Sequence, residues 1–127
     1  MPSNLEDRLK QVVCRDGRYH VNAYRFVYEA LDYTVKQLER KRHISGRELL
    51  EGIKNLALEQ FGALAVMVFE TWGVRKTADF GNIVFNLVEA ELMSRSEEDC
   101  REDFEDVYEF REVFRIDSKP RSMRSSR

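Results

Sequence analysis

Apolar residues in this chain recur every three to four positions, and glycines interrupt the pattern. That period buries one face of an α-helix, whereas a strand would alternate every two residues. Leu5, Leu9, Val12 and Val13 fall on one face of a helix over about Asn4–Arg15. Ser3 and Glu6 have capping-box spacing ahead of it, and Gly17 supplies a stop. Tyr24, Val27, Tyr28, Leu31, Val35 and Leu38 continue the period over about Asn22–Arg40, with Asn22 as the cap. Ser45-Gly46-Arg47-Glu48 is a capping box for a third helix, striped by Leu49, Ile53, Leu56 and Ala57 and stopped at Gly62. A short fourth helix over about Ala63–Trp72 turns Leu64, Ala65, Val68, Phe69 and Trp72 inward and ends at Gly73. A fifth starts near Thr77 as cap and runs to about Met93, with Phe80, Ile83, Val84, Leu87, Val88 and Leu92 on one stripe.

The chain is therefore read as mainly α, five helices in a single domain over 1–116. After the last long helix, Tyr108-Glu109-Phe110 alternates as a strand would, while Val107, Tyr108 and Phe114 fit a helix equally well; a short β-hairpin or irregular structure is expected there. Three helices followed by a hairpin is winged-helix-like order, with Asp103–Phe110 as the wing. Residues 117–127, rich in serine and arginine, are expected to form a flexible basic tail.

Composition narrows the function classes. At 127 residues the chain can bury a core without metal or disulfide staples. No apolar run approaches the roughly 18 residues of a membrane span. The polar start Met1–Asp7 lacks a signal-peptide pattern, so a cytoplasmic location is expected and a membrane partner is not. Cys14 and Cys100 form no disulfide framework and are read as free thiols. The net charge of −2 conceals a polarised arrangement. Residues 97–112 hold nine acids and two bases, while residues 118–127 hold four bases and no acid.

Arg42-His43-Ile44-Ser45-Gly46-Arg47-Glu48-Leu49-Leu50-Glu51-Gly52-Ile53 resembles the signature of a small uncharacterised bacterial family found largely in planctomycetes and verrucomicrobia. Trp72–Thr77, Asp79–Val88, Glu97-Glu98-Asp99 and Arg101-Glu102-Asp103-Phe104 are similar to it too, as are Arg18-Tyr19-His20 and Ala23-Tyr24. The resemblance extends to about Phe114 and implies no activity. Where that family carries glycine before a Tyr-x-Phe element, this chain has Asp106-Val107, which argues against a tight turn.

Two surfaces are candidates for binding. Arg40, Lys41, Arg42 and Arg47, with Arg75 and Lys76, would contact an anion or nucleic acid, and Asn82 and Asn86 would reach bases from the polar face of the fifth helix. Asp79 and Glu89 on that face would repel phosphate, and a solvated polar face is the simpler reading. The acidic segment Glu97, Glu98, Asp99, Glu102, Asp103, Glu105 and Asp106 would meet another protein chain. It lacks the spacing and central glycine of a calcium loop. His20, His43, Cys14 and Cys100 lack metal-ligand spacing, and His20 suits a capping role at a helix entry. Trp72 and Phe69 suit a core. No catalytic residue, metal or cofactor is expected. The leading expectation is a non-enzymatic binding or scaffolding module whose partner is another protein chain, and the alternative is a winged-helix-like nucleic-acid-binding regulator.

Overall fold

A computed structural model describes residues 4–38, 44–93 and 101–114. The helices are α1 (Leu5–Arg15), α2 (Val21–Leu38), α3 (Gly46–Gln60), α4 (Ala65–Thr71), α5 (Thr77–Glu89) and the single turn α6 (Phe110–Val113). Short 3-10 turns occupy Gly62–Leu64 and Arg101–Phe104.

Most boundaries follow from local chemistry. Ser45 Oγ accepts from the Glu48 N–H (3.1 Å) and the Glu48 carboxylate accepts from the Ser45 N–H (3.0 Å), closing the expected capping box of α3. Gly62 and Gly73 take left-handed φ of 53° and 91°, as a glycine stop requires. After α4 the Gly73 N–H reaches Glu70 O (3.0 Å) and the Val74 N–H reaches Phe69 O (2.9 Å). That pair of bonds is a Schellman motif.

Several boundaries differ from the sequence reading. The cap of α1 is Asn4, whose side chain accepts from the Asp7 N–H, rather than Ser3. Its stop is extended Asp16, and Gly17 has no left-handed φ. Asn22 lies inside α2, and the acceptor at its entry is His20 Nδ1, 3.0 Å from the Asn22 nitrogen. The buried face of α2 is Ala23, Tyr24, Phe26, Val27, Ala30 and Thr34. The small Ala30 and Thr34 let α3 approach, and Leu38 is left exposed. Thr77 starts α5 but does not cap it; its hydroxyl accepts from the Val107 N–H (3.2 Å). The return half of a capping box is present: Asp79 accepts from the Arg75 (2.8 Å) and Lys76 (3.2 Å) N–H groups.

Segment 101–114 carries the largest correction. Among the described residues there is no strand, and the expected wing over 103–110 is instead a 3-10 turn, a tight turn and α6. The alternating Tyr108 and Phe110 pack against each other at a tilt of 45°, with ring centroids 6.2 Å apart. A tight turn forms here although glycine is absent: Asp106 makes it with φ 51°, a conformation that aspartate tolerates better than most side chains, which corrects the expectation drawn from Asp106-Val107. The basic tail lies outside the described residues.

Phe69 is the hub of the core. It is fully buried, and its ring lies 5.2–6.5 Å from those of Phe26, Phe61, Trp72, Phe80, Phe110 and Phe114. Phe104 fills the space above two glycines: a Cβ on Gly46 or on Gly81 would come within 2.9 or 2.8 Å of its side chain. The Tyr108 hydroxyl donates to Leu50 O (2.7 Å). Segment 101–114 is thus built into the core through its aromatic residues and leaves acids on its outer side.

Candidate functional site

The site grows from the short connection between α1 and α2. Asp16 closes α1 and then grips Arg18, with its Oδ1 3.0 Å from Nε and its Oδ2 2.7 Å from Nη2. These two parallel bonds hold the Asp16 carboxyl well below the usual carboxylate range and push the Arg18 guanidinium further up. The Arg18 guanidinium carbon lies 5.2 Å from the Tyr19 ring centroid. Its orientation is therefore set twice, by a carboxylate and by an aromatic face.

Polar residues of α5 complete this framework. Tyr19 Oη donates to Asp79 Oδ1 (2.8 Å) and accepts from Asn82 Nδ2 (3.0 Å). Asn86 Nδ2 donates to Asp16 Oδ2 (2.8 Å) and to Tyr24 Oη (2.9 Å). Burial pushes the Tyr19 hydroxyl up to about 12 and raises that of Tyr24. The polar stripe of α5 thus faces a seam of tyrosine and aspartate, and the bases expected of a nucleic acid are not what it meets. Both amide protons of Asn86 have internal partners.

The seam stiffens one wall of an open cleft of about 630 Å³. Lys10, Val13 and Cys14 of α1 form one side and Gly17–Val21 the floor and rim; Glu70, Thr71, Trp72 and Gly73 at the end of α4 form the other side. The walls are pinned together. The His20 N–H donates to Trp72 O (3.0 Å), and a Cβ on Gly73 would lie 2.3 Å from Arg18 O. Cys14 is an exposed free thiol. His20 also lines the cleft, but its Nδ1 is the acceptor at the α2 entry.

An apolar ridge adjoins the cleft along α4. The helix reads Ala65-Val66-Met67-Val68-Phe69-Glu70-Thr71, apolar all round until its last two residues. Ala65 and Phe69 are buried, while Met67 is 62% exposed and Leu64, just before the helix, 56%. The outward Leu64 corrects the sequence reading. It sits in a 3-10 turn of about three residues per turn rather than 3.6, so it leaves the inward stripe. Met67, Glu70 and Thr71 share one face at helical spacing, so the ridge runs directly into the cleft wall.

The other expected site residues lie elsewhere. Arg47 is exposed at the start of α3, and Arg75 and Lys76 are exposed ahead of α5. Arg40, Lys41 and Arg42 are outside the described residues, as are His43, Cys100, Glu97, Glu98 and Asp99; so is the side chain of Glu102. Glu105 and Asp106 are exposed on segment 101–114, while Asp103 is half-buried, its Cβ close beside Gly46 at the start of α3. Among the described residues no group of three His, Cys, Asp or Glu side chains is placed to hold a metal ion. No helix among them is long and apolar enough to cross a membrane. Sequence reasoning missed the ridge because Leu64 and Val68 matched an inward stripe; the available signal was a helix apolar on every side. Comparison with protein-family models, curated proteins and solved structures finds no match to this chain.

Proposed function

We propose that this chain is a non-enzymatic helical interaction module, and that another protein chain docks on the ridge of α4 and the adjoining cleft. The observation that carries the reading is the exposure of Leu64 and Met67 on an otherwise apolar element. Large apolar side chains that are solvent-exposed, contiguous and beside a concave surface are the anchors that protein interfaces use. Two features support it. The cleft is preformed, so docking orders little of the backbone. Two of the polar groups that line it, Arg18 and His20, are engaged in holding its walls, through Asp16 and the Asn22 N–H.

Site-directed photo-crosslinking in cells that make the protein tests this. A photoreactive amino acid at position 67 is expected to give a discrete crosslinked protein species, and one at Asn55, exposed on α3, is expected to give none. Equal crosslinking from both positions, or none from position 67, rejects the reading.

A further inference from the structure

Histidine is the side chain whose charge ordinarily changes near neutral pH, and His20 lines the cleft as a structural acceptor. Its Nδ1 accepts from the Asn22 N–H (3.0 Å) and its carbonyl accepts from the Ala23 N–H (2.9 Å). One residue thus satisfies two of the free donors at the start of α2. The same residue ties the cleft together, because its own N–H donates to Trp72 O (3.0 Å) at the end of α4. That joint is close-packed: a Cβ on Gly73 would lie 2.3 Å from Arg18 O.

A ring nitrogen accepts only while it carries no proton, and imidazolium is a donor at both nitrogens. Protonation therefore sets two donors face to face where Nδ1 met the Asn22 N–H. It also places a positive charge at the positive end of an 18-residue helix, where the dipole disfavours cations. The charged and titratable groups that share the cleft are Lys10 and Cys14 on α1, Arg18 and Tyr19 on the connection, and Glu70 on α4. Arg18 is held by Asp16, and the Tyr19 hydroxyl by Asp79 and Asn82. On α2 itself, Arg25 is held by Glu6 and bonds the Asn22 side chain. The one carboxylate among the lining residues, Glu70, stands on the opposite wall, so a charged ring is drawn off the cap toward the open cleft.

We propose that His20 is a pH-operated cap: neutral, it holds the first turn of α2 and with it the floor of the cleft, and protonated, it leaves the Asn22 N–H and frees that turn. The stabilisation is complete above the ordinary imidazole range, about pH 6.5, and is lost as pH falls through it, since only the neutral ring accepts. The aromatic core takes no part, so the chain stays folded while the rim of the cleft loosens. The device does not depend on what docks in the cleft.

Nuclear magnetic resonance titration of the full chain reads ring and helix together. The neutral His20 ring is expected to carry its proton at Nε2. The Asn22 amide should shift, and lose hydrogen-exchange protection several-fold, with the same midpoint as the ring. Resonances of His43 are told apart by their persistence in His20→Asn. A neutral ring protonated at Nδ1, or an Asn22 amide indifferent to the ring's titration, overturns the proposal. Denaturant unfolding at about pH 8 and about pH 5, on either side of the imidazole range, is the second measurement. Every other titrating group is common to the wild type and His20→Ala, so the ratio of their unfolding constants isolates position 20. The wild type is expected to be more stable by about fivefold in that ratio at the higher pH, and to lose this advantage at the lower. His20→Asn, whose amide oxygen accepts at both, should keep its advantage over His20→Ala throughout. A wild-type advantage that does not change with pH overturns the proposal, as does an asparagine advantage that disappears along with it.

Discussion

Among the described residues, two other than glycine hold left-handed backbone, Glu91 with φ 62° and Asp106 with φ 51°. Glu91 closes α5 in the same way that Gly73 closes α4. The Glu91 N–H bonds Val88 O (2.9 Å), and the Leu92 N–H bonds Leu87 O (2.8 Å). A side chain costs about 1–2 kcal/mol in this conformation. Glu91→Gly is therefore expected to stabilise the fold by about 1 kcal/mol, part of the gain being lost to the freer unfolded chain. Asp106→Gly should gain less, because aspartate tolerates this region better. Chemical denaturation of both variants gives the ranking, and a destabilised Glu91→Gly would contradict it. Ionisation adds a second residue-scale test. Burial raises the hydroxyls of Tyr19, to about 12, and of Tyr108. A raised folded value means stability is intact below the unfolded tyrosine value of about 10 and falls as pH rises through 10 to 12. Ultraviolet titration should show these phenols ionising together with unfolding above that pH; independent ionisation in a still-folded chain would contradict their burial.

At the scale of elements, Phe69 joins α2, α4, α5 and α6 through ring contacts, so Phe69→Ala is expected to cost about 3–5 kcal/mol. A loss below about 1 kcal/mol in denaturant titration would show that the cluster collapses around the gap. Asn86→Ala removes the donor shared by Asp16 and Tyr24, and should cost about 1–3 kcal/mol. An unchanged midpoint would mean that water replaces the amide. These two elements also mark how far sequence could be read. The stripe of α5 was legible because Phe80, Ile83 and Leu87 repeat at helical spacing and are fully buried. The opposite face of α5 reads from sequence as a solvated polar face, with nucleic-acid contact by Asn82 and Asn86 as the alternative, because nothing local to α5 announces that Tyr19, Tyr24 and Asp16, some 60 to 70 positions earlier, bond its polar side chains. Segment 101–114 failed for a related reason. Its aromatic residues alternate, but each is placed by a distant partner, Phe104 by Gly46 and Gly81 and Tyr108 by Leu50 O, rather than by a neighbouring strand. Helix limits set by Ser45, Gly62 and Gly73 were legible because caps and stops are local events.

For the whole molecule, the arrangement separates two jobs. The aromatic core and the polar seam hold α1, α2, α4 and α5 in fixed relation. What remains exposed beside them is the ridge of α4 and a preformed cleft. A surface substitution there should alter association without altering the fold, within about 0.5 kcal/mol. The charge pattern of the chain has its own consequence. Residues 118–127 carry four bases and one large apolar side chain, Met123, so burial has little to act on. Removing them is expected to leave the melting temperature nearly unchanged while making the remaining chain strongly acidic; a large loss would show that they are packed. The most direct test of the central claim is the oxidation of Met67 by hydrogen peroxide, read by mass spectrometry in the purified dilute chain and inside intact cells. In the dilute chain its rate should approach that of an unstructured methionine peptide, as an exposed thioether requires. In cells, once each rate is scaled to such a peptide, it should fall several-fold because another chain covers the ridge. An equal scaled rate in both settings would contradict the assignment of α4 as a docking face.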